Sequence, residues 1–345
     1  MRTKILKINP TRPQISVIRQ AAQLIRNGET VAFPTETVYG LGANALNPSA
    51  VKKIFEAKGR PADNPLIIHI HDKRDLKRLA SDIPEITEKI IAKFWPGPLT
   101  VVLKKSKIVP KITTGGLNTV AIRMPKNKVA SLLIKEAGVP LAAPSANFFG
   151  RPSPTLARHV SADLAGRISM ILDGGRTRIG IESTVIDLTS KTPMLLRPGG
   201  VTLEQMQKVV GEIRIHPVIK GGKSKLVHRS PGMKYRHYSP NAKIILVEGS
   251  AQDVDKKILQ LASRFKKQKK RVGIMSTQKN RVYKADMTRF VGSSPDKIAA
   301  NLYKAFREFD AQKIDVILAH GISKKGLGLG VMNRLGKAAH KKITV

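Results

Sequence analysis

Residues 33–42 (FPTETVYGLG) place chemically useful side chains directly after a buried strand. The apolar run at residues 30–33 predicts that strand, which stops at Pro34. Two threonine hydroxyls, a carboxylate and a phenol follow, beside Gly40 and Gly42, which let a ligand approach the backbone. Open α/β sheets bind ligands at strand ends. The stretch therefore predicts a binding loop, and a strand-to-helix turn with an accidental polar cluster is the structural alternative.

Four further segments combine polar side chains with proline or glycine in a similar way. They are residues 58–66 (KGRPADNPL), 94–100 (FWPGPLT), 143–147 (APSAN) and 180–187 (GIESTVID). Lys58 and Arg60 flank Gly59 after a predicted helix, so the backbone can bend both cations toward a phosphate. Arg197 follows a short apolar run and is a third candidate cation. Taken singly, each is one surface cation among 62 basic residues.

The Ser-x-Asn element at residues 145–147 offers two neutral polar groups. In an extended segment, Ser145 and Asn147 point to the same side and present a hydroxyl and an amide to a phosphate or carboxylate. An Asx-type turn after Pro144 is the structural alternative.

Alternating strand-like and helix-like runs predict an α/β domain over residues 1–216 that positions these segments. The predicted strands are residues 30–33, 65–70, 100–104, 119–123, 140–143, 170–172 and 183–188. The predicted helices are residues 15–27, 50–58, 84–94 and 129–137, the last with Gly138 as its C-cap. These patterns leave the strand order open.

Residues 217–242 lack apolar periodicity and predict a linker. Its Tyr235, Arg236, His237 and Tyr238 are unusual in a spacer, so we predict a lid over a ligand. Docking of these aromatic side chains on a second domain is the alternative.

Residues 243–345 predict a small Rossmann-like parallel sheet. Short apolar runs at 243–247, 271–275 and 314–319 are separated by helical segments at 254–265 and 294–309. The glycine-rich stretch 326–335 predicts a structural helix entry, with phosphate binding as the alternative.

Composition excludes several kinds of chemistry. The 345-residue chain has no cysteine, which rules out disulfides, thiolate nucleophiles and Cys-ligated metal centres. His69 and His71 share a strand face without a third ligand nearby, so we predict no metal site. No apolar run reaches the roughly 20 residues of a membrane helix, and the first residues lack the apolar core of a signal peptide. We therefore expect a cytoplasmic protein without membrane contacts.

The net charge of +38 favours anionic partners such as nucleotides, pyrophosphate or RNA. A basic surface common to the host's proteins is the alternative. In the densest run, residues 256–271, eight of sixteen residues are basic and none is acidic. This run predicts a solvated helix face, with an RNA patch as the alternative.

In their order and spacing, the five segments resemble the YrdC-type family of threonylcarbamoyl-adenylate synthases. The resemblance covers roughly residues 10–212, and residues 230–238 (SPGMKYRHY) are similar to the linker of its two-domain branch. It implies a twisted, mixed-direction sheet with a concave, basic cleft, ahead of the Rossmann-like domain. It also implies a nucleotidyltransferase that converts L-threonine, bicarbonate and ATP to threonylcarbamoyl-AMP and pyrophosphate, for threonylcarbamoyladenosine modification of tRNA.

The same resemblance implies the roles of individual residues. ATP contacts are implied for Lys58, Arg60, Asn64, Thr119, Ser145, Asn147, Ser153, Arg197 and His237, with Lys58, Arg60 and Arg197 as catalytic cations. Threonine contacts are implied for Thr35, His69, Arg123 and Ser183, with Arg123 on the carboxylate. Mg²⁺ is expected with ATP, held mainly by phosphates and water because Glu36, Asp63 and Glu182 are dispersed in the sequence.

A protein that binds double-stranded RNA or tRNA during RNA or ribosome maturation is the alternative from another functional class. The chain has one Trp, five Tyr and nine Phe, which is little material for a base-stacking platform. Synthesis is therefore the favoured hypothesis. It is compatible with weak tRNA binding and with a partner transferase that receives the product.

Overall fold

The computed structural model describes residues 2–222 and 238–345. The described residues divide into two compact units, one built from residues 2–149 and 153–222 and the other from residues 150–152 and 238–345. Among the described residues, no helix is long and apolar enough to cross a membrane. Three residues of the predicted lid, Tyr235, Arg236 and His237, lie outside the described ranges.

The first unit is built on a mixed sheet of short strands. They are β1 (Lys4–Lys7), β2 (Val31–Pro34), β3 (Tyr39–Asn44), β4 (Ile67–His69), β5 (Ala80–Asp82), β6 (Leu99–Lys105), β7 (Thr119–Arg123), β8 (Leu141–Ala142), β9 (Met170–Asp173), β10 (Thr184–Asp187), β11 (Met194–Arg197) and β12 (Arg214–Ile215). Their order is β1-β9-β2-β3-β8-β4-β7-β6-β10-β11-β12, with β5 beside β6. Parallel and antiparallel pairs alternate irregularly, which confirms the predicted mixed-direction α/β fold.

Helices pack against this sheet. They are α1 (Ile15–Arg26), α2 (Pro48–Lys58), α3 (Arg74–Leu79), α4 (Glu85–Phe94), α5 (Lys128–Ala137), α6 (Ala157–Leu164) and α7 (Leu203–Val210), with a 3₁₀ helix at Pro217–Lys220. One buried cluster joins α1 and α5 to β2 and β9 through Ile18, Leu133, Phe33 and Leu172. Each such side chain contributes about 1.5–3 kcal/mol relative to an exposed one. This packing fixes the strands from which the polar loops emerge.

The polar stretch after β2 is the turn of a hairpin and not a strand-to-helix turn. β3 returns antiparallel to β2, with Phe33 opposite Gly40 and Val31 opposite Gly42. A Cβ on Gly42 would lie 2.6 Å from the Phe33 ring, so glycine is required for this strand to pack closely. Residues 35–38 are thereby held at the end of two paired strands.

Helix α2 delivers two of the predicted cations. The Asn47 side chain accepts hydrogen bonds from the N–H groups of Ser49 and Ala50, and Pro48 occupies the first turn, so the helix start is well capped. The helix ends at Gly59, whose φ of 58° is the left-handed conformation that glycine adopts at little cost. Lys58 therefore lies in the last turn, and Arg60 follows the reversal.

The second unit is a five-stranded parallel sheet, which confirms the predicted Rossmann-like domain. Its strands are β13 (Lys243–Glu248), β14 (Val272–Ser276), β15 (Met287–Phe290), β16 (Val316–His320) and β17 (Lys341–Thr344), in the order β15-β14-β16-β13-β17. Its helices are α8 (Ala251–Lys267), α9 (Pro295–Ala311) and α10 (Gly328–Ala338). The apolar side of α8 is buried and most of its basic residues are exposed, as a solvated helix face requires. The glycine-rich stretch forms the start of α10.

Two polar features of the second unit involve aromatic rings. Tyr238, the first described residue after the gap, stacks on Tyr303 with 5.6 Å between ring centroids, and the Arg334 guanidinium lies 5.6 Å from its ring. This linker tyrosine is therefore docked within the second unit. At the carboxyl ends of β14 and β16, the Tyr283 hydroxyl donates to Asp255 and lies 3.2 Å from His320 Nε2. Parallel sheets of this kind usually bind ligands at this edge.

Candidate active site

Strand register brings polar side chains of β4, β7 and β6 to one face of the first sheet, which we call the site face. His69 pairs with Arg123, and Arg123 pairs with Thr100. Because side chains alternate along a strand, Thr119 at the start of β7 shares this face with Arg123. The middle of the face is apolar, formed by Ile67, Val102, Ala121, Val185 and Leu196. The site face thus has a polar end at Arg123 and a second polar end about 13 Å away at Thr119.

Arg123 is buried and ion-paired with the hairpin turn. Its Nη2 lies 2.7 Å from Oε1 of Glu36, and the two side chains are 4% and 5% exposed. Its Nη1 donates to Oγ1 of Thr37 at 3.0 Å, and its Nε donates to the Gly97 carbonyl at 3.3 Å. The guanidinium is therefore fixed by the hairpin turn and by the loop before β6 before any ligand arrives.

The turn that carries Glu36 is itself rigid. Thr35 Oγ1 accepts from the N–H groups of Thr37 and Val38 and donates to the Val38 carbonyl at 2.6 Å. The backbone N–H groups of Ile179 and Gly180 donate to the carbonyls of Glu36 and Thr37. These bonds hold the segment before β10 against the hairpin turn.

His69 is a buried, neutral imidazole. Nδ1 lies 3.2 Å from the Ile67 carbonyl, and the ring makes an edge contact with Phe33 at 6.5 Å between centroids. Burial, and then the positive charge of Arg123, lower the pKa of His69 to about 3. Its position beside Arg123 is thus polar but uncharged at neutral pH.

Ser183 links the site face to Arg197, the third cation predicted from the sequence. Its hydroxyl lies 2.8 Å from the Thr100 hydroxyl, and Arg197 donates to its carbonyl through Nε at 3.0 Å and to its hydroxyl through Nη2 at 3.1 Å. After Arg197 the chain passes so close to residue 182 that a Cβ on Gly199 would lie 2.3 Å from the Glu182 carbonyl oxygen. The Arg197 loop and the Ser183 loop therefore pack as one body.

Lys58 organises the Ser-x-Asn element. Its side chain is 1% exposed, and Nζ donates to the carbonyls of Ser145 and Asn147 at 2.5 Å each. Burial, and then the nearby Arg60, lower the pKa of Lys58 well below its usual value, while Asp163 opposes the shift. Ser145 also bridges to Gly40 of β3. The lysine therefore ties the Ser-x-Asn loop to the end of α2, next to the hairpin.

Two other residues chosen from the sequence, Arg60 and Ser153, hold neighbouring loops. Arg60 Nη2 donates to the carbonyls of Asn64 and Pro65 at 3.1 Å each. Ser153 donates to Oε1 of Glu182 at 2.5 Å, and Glu182 directly precedes Ser183 in the sequence. Thr119 lies apart from these loops and lines a cavity of about 580 Å³ together with Lys104, Lys105 and Lys107.

A family model named for Sua5, YciO and YrdC, described as telomere recombination, matches residues 23–199. A model described as the C-terminal domain of threonylcarbamoyl-AMP synthase matches residues 201–340. The chain belongs to the Sua5/YciO/YrdC family. Its two matched models identify it as a two-domain member, as the motifs had predicted.

Close relatives cover almost the whole chain. A Pyrococcus abyssi protein named threonylcarbamoyl-AMP synthase is 57% identical over 94% of this chain and 95% of its own length. A Bacillus subtilis protein of the same name is 49% identical over 96% and 94%. The crystal structure of Pyrococcus abyssi Sua5 with L-threonine matches with a TM-score of 0.96 and 54% identity, over 99% of this chain and all of that one.

The fold of this Sua5/YciO/YrdC member assembles most of the residues chosen from the sequence. One group lies around the Arg123 end of the site face, and it comprises Thr35, His69, Arg123, Ser183 and Arg197. A second group lies around the end of α2, and it comprises Lys58, Arg60, Asn64, Ser145 and Asn147. Their contacts with ligands stay predictions.

Sequence reasoning missed Glu36 as part of the site. It treated this carboxylate as one of three dispersed acidic residues, whereas Glu36 touches Arg123. Thr37 and Thr100 were also missed, although Glu36, Thr37 and Thr100 all lie within the segments 33–42 and 94–100 that the sequence had singled out. Among the residues the structure describes, no group of three His, Asp or Glu side chains is arranged to hold a metal ion.

The depressed pKa of His69 predicts a pH-dependent stability. An unfolded histidine takes up a proton near pH 6.5, whereas the folded one resists protonation to about pH 3. The stability contributed by neutral His69 is therefore complete above pH 6.5 and is lost as the pH falls toward 3, with a slope of about 1.4 kcal/mol per pH unit. Urea unfolding of wild type and His69→Gln between pH 7 and pH 4 checks this. The variant should show a shallower slope, and an unchanged slope would show that another group is responsible.

Proposed function

We propose that this chain synthesises threonylcarbamoyl-AMP from L-threonine, bicarbonate and ATP, with release of pyrophosphate. The observation that carries this proposal is the buried cation Arg123, fixed among hydroxyls in a fold that matches a threonine-bound relative along its full length. A transferase that moves the threonylcarbamoyl group to a tRNA adenosine would consume the product.

The proposed chemistry needs positioning more than a nucleophilic side chain. The threonine nitrogen forms a bond to the carbon of bicarbonate-derived carbon dioxide and loses a proton, which gives a carbamate. A carbamate oxygen then attacks the α-phosphorus of ATP, and pyrophosphate leaves with the electron pair of the broken P–O bond. Fixed cations and N–H groups lower the barrier by stabilising charge on the phosphate oxygens.

The two ends of the site face suit the two substrates. At one end, Arg123, His69, Thr35 and Ser183 offer a cation, a neutral imidazole and hydroxyls for an amino acid. Arg197 and Lys58 supply positive charge for the triphosphate. At the other end, Thr119 and its lysine-lined cavity suit the part of the nucleotide that lies farthest from the amino acid. Glu182 is engaged with Ser153, and Glu36 lies apart from it in an ion pair with Arg123 at the amino-acid end, so Mg²⁺ is expected to enter with ATP and not through a protein carboxylate cluster.

Product analysis tests the proposal directly. Purified protein with ATP, Mg²⁺, bicarbonate and L-threonine should release pyrophosphate and form threonylcarbamoyl-AMP, detected by mass spectrometry. Omission of threonine or bicarbonate should abolish most of this release. Formation of ADP and phosphate would contradict the adenylation step. Some activity with serine is compatible with the proposal, because one methyl group in a pocket discriminates by only about 1–3 kcal/mol.

A further inference from the structure

Glu36 leaves buried hydrogen-bonding capacity unused beside Arg123. Its Oε1 is in contact with Arg123 Nη2 at 2.7 Å, but the N–H directions do not make this contact a hydrogen bond. Both Glu36 oxygens and Arg123 Nη2 lack a hydrogen-bond partner among the described residues, although both side chains are about 95% buried. Buried polar groups are otherwise paired in native proteins, so an acceptor and a donor side by side require an explanation.

We propose that Glu36 is the acceptor that binds the α-nitrogen of the amino-acid substrate while Arg123 binds its carboxylate. An α-amino acid is a zwitterion whose ammonium donors and carboxylate acceptors are separated by two carbon atoms. It therefore offers donors to Glu36 and acceptors to Arg123 Nη2 at the same time. This inference rests on the proposed function and adds to it a residue, Glu36, that recognises the amine of the substrate.

The chemistry of the substrate nitrogen fits a fixed acceptor throughout the reaction. The ammonium, the free amine and the carbamate each keep at least one N–H, so Glu36 can hold the nitrogen in all three forms. Thr35 and Thr37 cannot replace it, since their hydroxyls already bond within the turn and to Arg123. His69 cannot replace it either, since an imidazole is neutral or cationic and never supplies negative charge; here burial lowers its pKa, so it is neutral. Glu36 is thus the one anionic group described in contact with Arg123 at this end of the site face.

Two ligands that differ only in the amine test whether Glu36 binds the substrate nitrogen or serves only as the counter-ion of Arg123. Isothermal titration calorimetry compares L-threonine with (R)-3-hydroxybutanoate, which is threonine without its amino group. Wild type should prefer threonine by at least about tenfold. Glu36→Gln should raise the Kd of threonine roughly 10- to 150-fold and leave that of (R)-3-hydroxybutanoate unchanged or lower, because a charge-assisted bond to the amine is lost. Glu36→Asp, which keeps the charge, should retain an intermediate preference.

The possible outcomes distinguish this inference from the proposed function. A wild type that binds threonine and (R)-3-hydroxybutanoate equally well overturns the role of Glu36, whether or not any variant folds. An equal loss of both ligands in Glu36→Gln also overturns it, since this would show that Glu36 only positions Arg123. A wild type that binds neither ligand contradicts the proposed function itself. The matched control Glu29→Gln removes another ion-paired glutamate, 2.6 Å from Lys53, and should keep both affinities.

Discussion

Replacement of Lys58 with methionine should reduce kcat/KM by at least roughly 100-fold and also lower stability. Methionine keeps most of the buried stem but cannot donate to the carbonyls of Ser145 and Asn147. A hydrogen bond from a charged group contributes about 1.5–3 kcal/mol, so loss of both should lower the free energy of unfolding by about 3–6 kcal/mol. The Ser-x-Asn loop would then lose two of the hydrogen bonds that fix it to the end of α2. Steady-state kinetics and urea unfolding measure the two effects.

A lysine on the same helix provides the control. Lys52 is 70% exposed and, within the described part of the chain, pairs only with Glu56 at 3.6 Å, an arrangement that contributes little to stability. Lys52→Met should therefore behave almost like wild type in both measurements. If Lys58→Met matched it, the buried ammonium would have no special role, and the predicted catalytic importance of Lys58 would be wrong.

Local sequence patterns were sufficient to predict the elements that pack against segments near in sequence, and those with a clear apolar periodicity or a glycine cap. The amphipathic helices α1, α5, α8 and α9, and the Gly138 cap with its φ of 69°, all follow from periodicity and glycine chemistry. β3 was missed because two glycines within six residues argue against a strand. It forms because those glycines let the Phe33 ring lie directly against it. A rule that is valid on average was overridden by one tertiary contact.

Strand order and pairings between distant residues could not be predicted from local pattern. β1 pairs with β9, so Lys4 lies beside Met170, and nothing in either segment specifies the other. The same limit explains Glu36. Its carboxylate was visible among the hydroxyls of the hairpin turn, but its contact with Arg123 depends on the fold that brings β7 next to that turn. The motifs thus identified the loops, and the fold determined which charges meet.

Arg123→Ala should weaken threonine recognition selectively. The KM for threonine should rise roughly 10- to 150-fold, as expected for loss of a charge-assisted carboxylate contact, while the KM for ATP changes little. The variant would also leave Glu36 as a buried, unpaired carboxylate. Breaking a buried ion pair in this way costs about 3–5 kcal/mol, so the free energy of unfolding should fall by that amount.

The double variant Arg123→Ala/Glu36→Gln separates these two effects. Removing the stranded charge should restore part of the lost stability, because no ion is then buried without a partner. It should not restore threonine binding, since neither group that recognises the zwitterion remains. Chemical denaturation and threonine titration of both single variants and the double variant complete the cycle. Recovery of threonine affinity together with stability would show that Arg123 acts on the fold alone, and an equal rise in the KM for ATP would show that the whole site face had been disturbed.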